Sequence, residues 1–463
     1  MTKNMDKFDV IVVGSGTGGQ TAAFLLREKG LNVALVEKSH RPGGTCALTG
    51  CQPKKWFYEA AEAVDKTRHL EGRGIIQASK GDWGRVVEEK NKFTSKIPPG
   101  TVKNIQDAGI EFLPGTATFV DDKILRVNDR EIMGDFFIMA AGARPMDLPI
   151  EGMEHVITND QFLELNELPD SVVFIGGGFI SFEFAHFAAR LGGSKQRSII
   201  LEVGKRPLGP FDAEMVAELV AASTAAGVEV KCGVKIEKIE KTANGFRVLS
   251  KGEDAIETGL VVHGAGRVAD LDTLSLDSAG VKYSRRGIEV DPGMRTSCPH
   301  IFAVGDCAAT IQLARVADVE AITAAENILA DLGQGNGSSM DYSAVPAVLF
   351  TLPQLATIGK TEEALEKEGI SFRKNFQKNI GWPTYQRIGL EHAAFKVLVD
   401  ENNLILGAHI LSDQAGGVIN TIRTAMIHKI PIDELYRQTL LSPYPTRESD
   451  LSYMLKPLIN KDQ

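Results

Sequence analysis

The chain begins with a hydrophobic run that predicts a buried strand followed by a helix. Residues 10–13 are Val-Ile-Val-Val, and a glycine-rich turn at residues 14–19 leads into a helical stretch that ends near Lys29. A second hydrophobic run at residues 32–36 ends on Glu37. Short, fully apolar runs of this kind are typical of parallel strands that are buried on both faces. We therefore predict a β-α-β unit at the N-terminal end.

The same pattern occurs a second time near the middle of the chain. A strand at residues 172–175 and a glycine-rich turn at residues 176–181 precede a helix that ends near Leu191. A further strand at residues 198–201 then ends on Glu202. Two such copies predict two nucleotide-binding units of the Rossmann type.

The remaining pattern predicts a separate domain towards the C-terminus. Residues 333–339 are rich in glycine and serine and are typical of a linker. After them, apolar runs at residues 395–399 and 404–411 flank a polar turn and predict a hairpin. We expect an α/β fold with two Rossmann-type nucleotide-binding domains plus a C-terminal α+β domain. The expected segments are 1–149 for the first nucleotide-binding domain, 150–271 for the second, 272–343 for a return to the first and 344–463 for the C-terminal domain.

Composition and charge argue against several classes of function. A formal net charge of −9 and a pI near 5.6 disfavour nucleic acid or an anionic membrane as the main partner. The most apolar stretch, residues 172–191, is interrupted by Glu183 and Arg190, so we expect a strand and a buried helix there, not a membrane span. The N-terminus has no apolar run of signal-peptide length. We therefore expect a cytoplasmic protein, in which a disulfide is more often catalytic than structural.

Each glycine of the first turn has its own expected task. Gly14 permits the sharp bend, Gly16 lets the main chain approach a pyrophosphate, and Gly19 lets helix and strand pack closely. The helix N-terminus then offers free N–H groups to the phosphates. Glu37 stands where a carboxylate accepts hydrogen bonds from ribose hydroxyls. One such motif is weak evidence, since an ordinary tight turn explains it too, but two complete copies favour nucleotide binding.

The second copy bears on the choice between NADH and NADPH. Gly176 and Gly178 occupy the first two glycine positions, and Ser181 stands at the third. Because serine is small, we expect the helix still to pack, slightly further from the strand. Glu202 suits the free 2′-hydroxyl of NADH and repels the 2′-phosphate of NADPH. Basic residues at positions 205–206 are able to bind that phosphate, so NADPH is the alternative to the expected NADH.

Cys46 and Cys51 follow the first nucleotide-binding unit. They lie in the stretch Gly-Gly-Thr-Cys-Ala-Leu-Thr-Gly-Cys-Gln-Pro-Lys-Lys at residues 43–55. Cysteines at this spacing on a segment that enters a helix can reach disulfide geometry, and a helix N-terminus with a nearby lysine lowers a thiol pKa. The alternatives are a metal site or two unrelated buried cysteines, but no second Cys or His pair at zinc spacing supports a metal. We expect the remaining cysteines to be small core residues, namely Cys232, Cys298 and Cys307.

These motifs together resemble the pyridine nucleotide–disulfide oxidoreductase family, which includes dihydrolipoamide dehydrogenase, glutathione reductase and mercuric reductase. The resemblance covers nearly the whole chain, and its cysteine motif is far more specific than its glycine motifs. The matching stretches are residues 14–19 with Glu37, 43–55, 142–145, 176–183, 264–267 and 303–306.

The resemblance implies a role for the main candidate residues. The first nucleotide unit would hold FAD and the second would hold NAD(P)H. Cys46 and Cys51 would form a redox-active disulfide, with Cys51 against the flavin and Cys46 facing the substrate. Lys55 would lie near the flavin and pair with Glu183, which stabilises the reduced cofactor. The alternative for this pair is an ordinary surface ion pair.

Further cofactor contacts also follow from the resemblance. Asp306 would hydrogen-bond the ribityl chain of FAD, with a simple turn aspartate as the alternative, and Phe179 would gate the nicotinamide pocket. The other expected cofactor contacts are Gly44, Thr45, Gly142 and Gly266. The segment from about residue 344 would be a dimerisation domain that carries residues into the partner's site, so we expect a homodimer.

The chain departs from the family in its C-terminal domain. Thiol–disulfide members end with a His-Pro-Thr-x-x-Glu motif, in which the histidine takes a proton and the glutamate orients it. Here residues 442–450 read Ser-Pro-Tyr-Pro-Thr-Arg-Glu-Ser-Asp, so Tyr444 replaces the histidine and Ser449 the glutamate. A phenol with a pKa near ~10 is a poor base at neutral pH, although it donates a hydrogen bond. Mercuric reductases also carry tyrosine at this position, but they have a C-terminal cysteine pair that this chain lacks. The alternative role for Tyr444 is simple packing.

The sequence leads to one preferred hypothesis and two alternatives. We expect an FAD-dependent enzyme that passes electrons from NAD(P)H through Cys46 and Cys51 to a disulfide, a thiol or a thiophilic metal, borne by a small molecule or a small protein. The first alternative is a quinone or oxygen reductase, or a transhydrogenase, that bypasses the disulfide. The second is a redox-sensing flavoprotein without significant turnover.

Overall fold

The structure, a computed structural model, describes residues 5–459. Its chain divides into two units, and each unit is built from three separate segments. The first unit comprises Met1–Trp56, Val87–Asp147 and Gly266–Asp341, and the second comprises Phe57–Val86, Leu148–Ala265 and Tyr342–Gln463.

Strands and helices alternate along much of the chain. The strands are β1 (Asp6–Val13), β2 (Val33–Glu37), β3 (Glu111–Pro114), β4 (Ala117–Phe119), β5 (Ile124–Val127), β6 (Arg130–Met139), β7 (Ala143–Pro145), β8 (Ser171–Ile175), β9 (Arg197–Glu202), β10 (Val228–Cys232), β11 (Ile236–Thr242), β12 (Gly245–Ser250), β13 (Ile256–Thr258), β14 (Leu260–His263), β15 (Arg267–Ala269), β16 (Tyr283–Ser284), β17 (Gly287–Ile288), β18 (Ile301–Ala303), β19 (Ala347–Leu349), β20 (Gln354–Gly359), β21 (Arg373–Lys378), β22 (Ala394–Val399) and β23 (Ile405–Ser412). The α-helices are α1 (Thr17–Glu28), α2 (Gly44–Leu48), α3 (Cys51–Leu70), α4 (Trp83–Thr94), α5 (Ile97–Asp107), α6 (Asn159–Phe162), α7 (Phe179–Leu191), α8 (Ala213–Ala225), α9 (Ala314–Asp331), α10 (Glu362–Glu368), α11 (Pro383–Gln386), α12 (Ala415–Ile427), α13 (Ile432–Thr439) and α14 (Leu451–Leu455). Short 3-10 helices span Met153–His155, Leu276–Ala279, Gly305–Cys307 and Lys456–Leu458.

The first unit is built on a sheet with the strand order β3-β2-β1-β6-β5-β4, in which β18 also pairs with β6. Strands β2 and β6 both run parallel to β1, and Val10 faces Val33 and Phe136 on the two sides. The side chains of β1 from Val10 onwards are buried, as their continuous apolar run predicts. Helix α1 connects β1 to β2, so the predicted β-α-β unit is confirmed.

The second unit contains the second predicted β-α-β unit. Strands β8, β9 and β14 belong to a parallel sheet with the order β10-β9-β8-β14. Helix α7 connects β8 to β9, and almost every side chain of α7 is buried. Within the described residues no helix is long and apolar enough to cross a membrane, and α7 itself has 13 residues.

A five-stranded antiparallel sheet forms the C-terminal part of the second unit. Its order is β19-β20-β23-β22-β21, and helix α12 follows its last strand. The predicted hairpin is confirmed, since β22 and β23 pair with Phe395 opposite Ile410. The core of this part collects buried residues from the sheet and from α12 to α14, including Phe395, Ile410 and Ile422.

The scattered cysteines differ in their environments. Cys307 is fully buried, and its thiol donates to the carbonyl of Met139 at 3.2 Å, so the core prediction is confirmed for this residue. Cys298 is half-buried. The core prediction is wrong for Cys232, which is exposed because it is the last residue of β10, where the chain leaves the sheet.

A buried lysine holds three carboxylates together inside the second unit. The side chain of Lys396 on β22 is 2% exposed, and its Nζ atom lies 2.9 Å from Asp212, 2.6 Å from Glu214 and 2.8 Å from Glu362. Burial alone would lower the pKa of Lys396, but hydrogen bonds to these carboxylates outweigh it and raise the pKa. Burial opposes the charge of Asp212 and Glu362, yet their hydrogen bonds to lysine side chains leave the pKa of both groups lowered.

Replacing Lys396 by methionine should destabilise the protein strongly. The change Lys396→Met leaves buried negative charge without its cation, which typically costs about 3–5 kcal/mol. The control is Lys378→Met on the neighbouring β21, because Lys378 is 56% exposed and pairs with Glu218 at 3.0 Å. Glu218 is 14% exposed, but because the lysine lies in solvent we expect the pair to be worth only about 0–1 kcal/mol. Chemical denaturation of both variants measures the difference, and equal stabilities would contradict the prediction.

The same network predicts a pH window for the effect. The lowered carboxyl pKa values stabilise the fold above their ordinary value of about 4, and this stabilisation is lost as the pH falls through the folded values. The raised pKa of Lys396 stabilises the fold below about 10 and is lost as the pH rises through its folded value. The loss of unfolding free energy in the Lys396→Met variant should therefore be greatest between these pH limits and should become smaller towards acid pH.

Candidate active site

The first glycine-rich loop is shaped by close backbone contacts. Gly14 has φ +111°, and a Cβ atom there would lie 2.3 Å from the carbonyl oxygen of Ala140. A Cβ atom on Gly19 would lie 1.9 Å from the carbonyl oxygen of Gly14. At Gly16, by contrast, the nearest protein atom would be 3.8 Å away, on Gly44. Protein packing therefore explains Gly14 and Gly19, whereas the open space at Gly16 fits a ligand that approaches the main chain.

Glu37 is fixed by the loop that it faces. Its Oε2 atom accepts hydrogen bonds from the backbone N–H of Ser15 at 2.8 Å and from the Ser15 hydroxyl at 2.6 Å. Its Oε1 atom accepts from the backbone N–H of Ser39 at 2.7 Å. The Ser15 hydroxyl also accepts from the N–H of Gly43, the residue before α2. Each carboxylate oxygen keeps lone-pair capacity for a ribose hydroxyl, and Ser15 is a structural residue that the sequence analysis missed.

The second glycine-rich loop repeats this arrangement. The N–H of Gly177 donates to Glu202 Oε2 at 2.6 Å, and the N–H of Gly204 donates to Oε1 at 2.6 Å. Gly176 has φ +91°, and a Cβ atom there would meet the Cα atom of Ala265 at 2.4 Å. Gly178 is the N-cap of α7, where the helix N–H groups begin. The structure thus places Gly176, Gly178 and Glu202 at one end of the parallel sheet.

Ser181, at the third glycine position, packs against a glycine of another strand end. It is fully buried on α7, and a Cβ atom on Gly264 would lie 1.9 Å from its hydroxyl oxygen. The glycine at position 264 therefore provides the space that the serine hydroxyl occupies. This partner lies outside the loop motif and was not predicted from the sequence, and the slightly larger separation of helix and strand stays a prediction.

The cysteine segment packs directly on the first loop. Gly44 has φ +76°, and a Cβ atom there would lie 2.4 Å from the Cα atom of Gly16. Helix α2 begins at this glycine and carries Thr45 and Cys46, and α3 begins at Cys51. The cysteine pair is therefore held beside the nucleotide loop by the backbone contact of Gly44 with Gly16 and by the hydrogen bond from Gly43 to the Ser15 hydroxyl.

Cys46 and Cys51 are half-buried thiols that are not joined by a disulfide and lie in hydrogen-bond contact. The hydrogen bond to Cys51 and burial raise the pKa of Cys46, and a hydrogen bond to Thr17 opposes this rise. Because Cys51 is the first residue of a 20-residue helix, the helix dipole favours negative charge at its sulfur. Two thiols in contact at a helix N-terminus are chemically able to cycle between a dithiol and a disulfide.

Asp306 lies in a turn that is held in place by a hydrogen bond to a buried carboxylate. Gly305 has φ +69°, and its N–H donates at 2.6 Å to Glu320, a fully buried carboxylate on α9. Burial raises the pKa of Asp306, and the charge of Arg267 opposes that rise. A partly desolvated carboxylate on a rigid turn is suited to accept a ligand hydroxyl. Sequence analysis missed Glu320, because nothing in its helix pattern marks a buried acid.

Two further predicted glycines flank a short antiparallel pair in the first unit. Strands β7 and β15 pair through Arg144 and Val268. Gly142, with φ +73°, and Gly266, with φ +109°, precede the two strands. Among residues 5–459, no atom beyond the adjoining residues lies within 4 Å of a Cβ placed on Gly142, so packing does not explain that glycine, while its positive φ does.

The predicted residues Lys55, Glu183 and Phe179 are distributed over both units. Lys55 is a half-buried residue of α3 in the first unit. Glu183 is 1% exposed on α7 of the second unit and accepts from the N–H of Phe350 at 2.9 Å. Phe179 begins α7 and is 50% exposed. The pairing of Lys55 with Glu183 and the gating role of Phe179 stay predictions.

Tyr444 is 74% exposed and contacts another tyrosine. The charge of Tyr444 and a hydrogen bond to it raise the pKa of Tyr453. Asp450 is buried, where it accepts from the Thr384 hydroxyl at 2.6 Å. Ser449 caps the turn by accepting from the N–H of Thr446 at 3.1 Å. The Asp450 carboxylate and the Ser449 hydroxyl are thus engaged in local hydrogen bonds.

Fold and site together define a redox enzyme with two nucleotide-binding units and a dithiol at a helix N-terminus. The sequence profile of the pyridine nucleotide-disulphide oxidoreductases matches residues 8–321, and that of their dimerisation domain matches residues 345–452. The chain belongs to this family of FAD-dependent, NAD(P)H-linked disulfide oxidoreductases.

Known proteins resemble the chain over nearly its full length. A dihydrolipoyl dehydrogenase of Staphylococcus aureus is 32% identical over 429 residues, which is 90% of both chains. A mercuric reductase of Staphylococcus aureus is 29% identical and covers 96% of this chain and 81% of its own. The Cu(II) complex of the HOCl-induced flavoprotein disulfide reductase RclA from Escherichia coli is 25% identical, with a TM-score of 0.87 over 98% of this chain and 100% of that one.

A methyl group at Gly44 should separate the cysteine segment from the first loop. The change Gly44→Ala places a Cβ at 2.4 Å from Gly16 and forces a side chain into positive φ. Such strain costs about 1–3 kcal/mol, so we expect FAD affinity to fall about tenfold or more. The control is Gly100→Ala inside α5, where a Cβ meets no atom within 4 Å. The flavin-to-protein absorbance ratio after dialysis measures both, and full loading of the Gly44 variant would contradict the prediction.

Proposed function

We propose that this enzyme takes electrons from NADH and delivers them through Cys46 and Cys51 to a thiophilic metal ion. The observation that carries the proposal is Tyr444, which is largely exposed and hydrogen-bonded to Tyr453. Dithiol–disulfide exchange with an organic substrate needs a group that moves a proton, and a phenol with a pKa near ~10 serves poorly near neutral pH. Reduction of a bound metal ion needs no such proton transfer.

The residues of the first unit suit both cofactor and acceptor. FAD would supply the chemistry that links a two-electron hydride donor to the thiols. Gly16 and Glu37 would hold its pyrophosphate and ribose, and Asp306 its ribityl chain. Lys55 would lie beside the flavin and pair with Glu183. These assignments are supported by the open space at Gly16 and by the half-buried carboxylate of Asp306, whose pKa is raised by burial.

The two thiols would have different tasks in this proposal. Cys51, at the N-terminus of α3, would be the thiolate that faces the flavin. Cys46 would bind the acceptor, because thiolates are the preferred ligands of soft metal ions. Each NADH provides two electrons and releases one proton, which balances the reduction of two Cu²⁺ to two Cu⁺ or of one Hg²⁺ to the metal.

The relatives support a metal acceptor as well as a disulfide. A mercuric reductase is among the proteins that the chain resembles, and RclA has been solved as a Cu(II) complex. We further propose a cytoplasmic homodimer in which Tyr444 of the partner subunit completes each site. The family's dimerisation domain at residues 345–452 supports this assembly. We also keep the domain bounds predicted from the sequence, in which both nucleotide sites lie before residue 344.

The acceptor is tested by turnover of the purified holoenzyme under nitrogen. With NADH as donor, we expect Cu²⁺ or Hg²⁺ to be reduced at least about tenfold faster than lipoamide or glutathione disulfide, since removal of a general base typically lowers the rate by 10²–10⁴-fold. Equal or faster disulfide reduction would contradict the metal proposal, and reduction of a disulfide substrate would then remain as the function.

The route through the thiols is tested by Cys46→Ser. This variant should lose metal reduction, and its long-wavelength thiolate-to-flavin absorption should be present before NADH is added, because Cys51 no longer has a sulfur partner with which to form the disulfide. Cys232→Ser is the control, since that exposed thiol lies outside the cysteine segment. If Cys46→Ser retained full NADH oxidation with quinone or oxygen, electrons would bypass the disulfide, and the proposed route would be wrong.

The preference for NADH is tested at Glu202. Its carboxylate repels a 2′-phosphate and also occupies the N–H groups of Gly177 and Gly204. We expect kcat/KM to favour NADH about tenfold or more, since one such charge is worth about 1–3 kcal/mol. Glu202→Ala should reduce this ratio by freeing two donors for the phosphate. Glu229→Ala on the adjacent β10 is the control, and an unchanged ratio in the Glu202 variant would contradict the assignment.

A further inference from the structure

Helix α9 carries two charged residues close to the cysteine pair of the first unit. They are Arg315 and Asp318, near the start of the helix. Arg315 Nη1 lies 2.8 Å from Asp318 Oδ2. The side chain of Arg315 is 94% exposed, whereas that of Asp318 is only 16% exposed. The electron route proposed above uses neither residue.

Helix α1 holds the carboxylate of Asp318 next to the thiol of Cys46. Thr17, the first residue of α1, is hydrogen-bonded to Cys46, and the hydroxyl of Thr21 donates to Asp318 Oδ1 at 3.1 Å. Residues four apart on a helix are neighbours on one face, with Cβ atoms about 5–6 Å apart. The carboxylate and the thiol therefore lie about one helical turn from each other.

Close packing of α1 on α9 fixes this arrangement. Gly18 is buried, and a Cβ atom on it would lie 3.2 Å from the carbonyl oxygen of Ala317. Gly18 follows Thr17, and Ala317 precedes Asp318. The backbone contact thus lies between the two hydrogen bonds. Because Asp318 is largely buried, water and salt screen its charge less than the charge of an exposed acid.

The Cys46 thiol experiences the charge of Asp318. The hydrogen bond to Cys51 and burial raise the pKa of Cys46, and the negative charge of Asp318 raises it further. Arg315 opposes this charge through its ion pair with Asp318. Because the guanidinium lies almost entirely in solvent, such a pair is weak. We therefore expect a net negative potential at the Cys46 sulfur.

From this arrangement we infer that Asp318 is a specificity-determining residue, which favours cationic acceptors over anionic ones at the Cys46 thiol. A fixed carboxylate raises the local concentration of cations and lowers that of anions. Metal ions are attracted, and disulfides that carry carboxylates, such as glutathione disulfide, are repelled. The inference rests on the proposed function only in that Cys46 is the thiol that meets the acceptor.

The test measures the charge preference of the Cys46 thiol without turnover. It uses holoenzyme of the Cys51→Ser variant, in which no neighbouring thiol can release a group bound to Cys46. Two methanethiosulfonates of similar size serve as probes, one with a trimethylammonium group and one with a sulfonate group. The Cys46 thiolate attacks the thioalkyl sulfur, a mixed disulfide forms, and methanesulfinate leaves with the electron pair. Peptide mass spectrometry gives both rate constants at Cys46, and their ratio is independent of the thiolate fraction.

The decisive variant is Asp318→Asn, which keeps the size of the side chain and an acceptor oxygen for Thr21. We expect its cation-to-anion rate ratio to fall about fivefold, since a unit charge about one turn away changes the local concentration of each probe about two- to threefold, in opposite directions. Asp318→Glu should keep most of the ratio. Arg315→Gln should raise it, because the opposing cation is removed.

Two controls separate a local field from a general change of charge. Glu326→Gln removes an exposed acid eight residues further along α9 and should leave the ratio at Cys46 unchanged. The exposed thiol of Cys232, in the second unit, is an internal reference whose ratio should not respond to Asp318→Asn.

Three results would overturn the inference. They are an unchanged ratio at Cys46 in Asp318→Asn, an equal change at Cys232, and a lack of reaction of both probes at Cys46, since an acceptor then could not reach that sulfur. The proposed function fails separately, by turnover with Cu²⁺ or Hg²⁺, because the exchange reaction requires neither NADH nor metal reduction.

Discussion

The structure of both nucleotide-binding units depends on one hydrogen bond, from the glycine-rich loop to the acid that closes the next strand. In the first unit the N–H of Ser15 donates to Glu37, and in the second the N–H of Gly177 donates to Glu202. The bond holds the loop in its bent form and points the carboxylate along the strand end. Because loop and acid are already ordered, a nucleotide does not have to supply the free energy of ordering them, and its binding energy remains available for affinity.

The position of the redox cysteines follows from the same loop. Ser15 accepts from the N–H of Gly43, and the neighbouring Gly44 lies against Gly16 with no room for a side chain. Helix α2 begins at this contact, so Cys46 is carried at a fixed distance from the nucleotide loop. Backbone contact is stiffer than side-chain contact, and electron transfer between a cofactor and a thiol requires that kind of placement.

Features with local signals were predicted correctly from the sequence. Short stretches of sequence are enough to predict these features from their periodicity, glycine spacing and turn residues. They are both β-α-β units, the hairpin of β22 and β23 and the cysteine segment. Features that depend on distant partners were missed. The sequence around Lys396 is that of an ordinary strand lysine. Its partner Asp212 lies 184 residues away and comes into contact only in the folded chain. The role of Glu320 likewise cannot be predicted from local sequence, because its partner, the N–H of Gly305, is reached only when α9 packs against that turn. Cys232 was misplaced because hydrophobicity does not reveal where a strand leaves its sheet.

The departures from the family are concentrated at one end of the electron path. Both nucleotide units keep their loops and acids, and the single substituted glycine, at Ser181, is compensated by Gly264. The C-terminal motif instead carries Tyr444 where the resemblance places a histidine, and this phenol contacts a second phenol, Tyr453. A phenol binds and orients but transfers protons poorly at neutral pH. If the acceptor is the proposed metal ion, electrons enter through the nucleotide loops that the family shares, and no proton has to be delivered to a leaving sulfur.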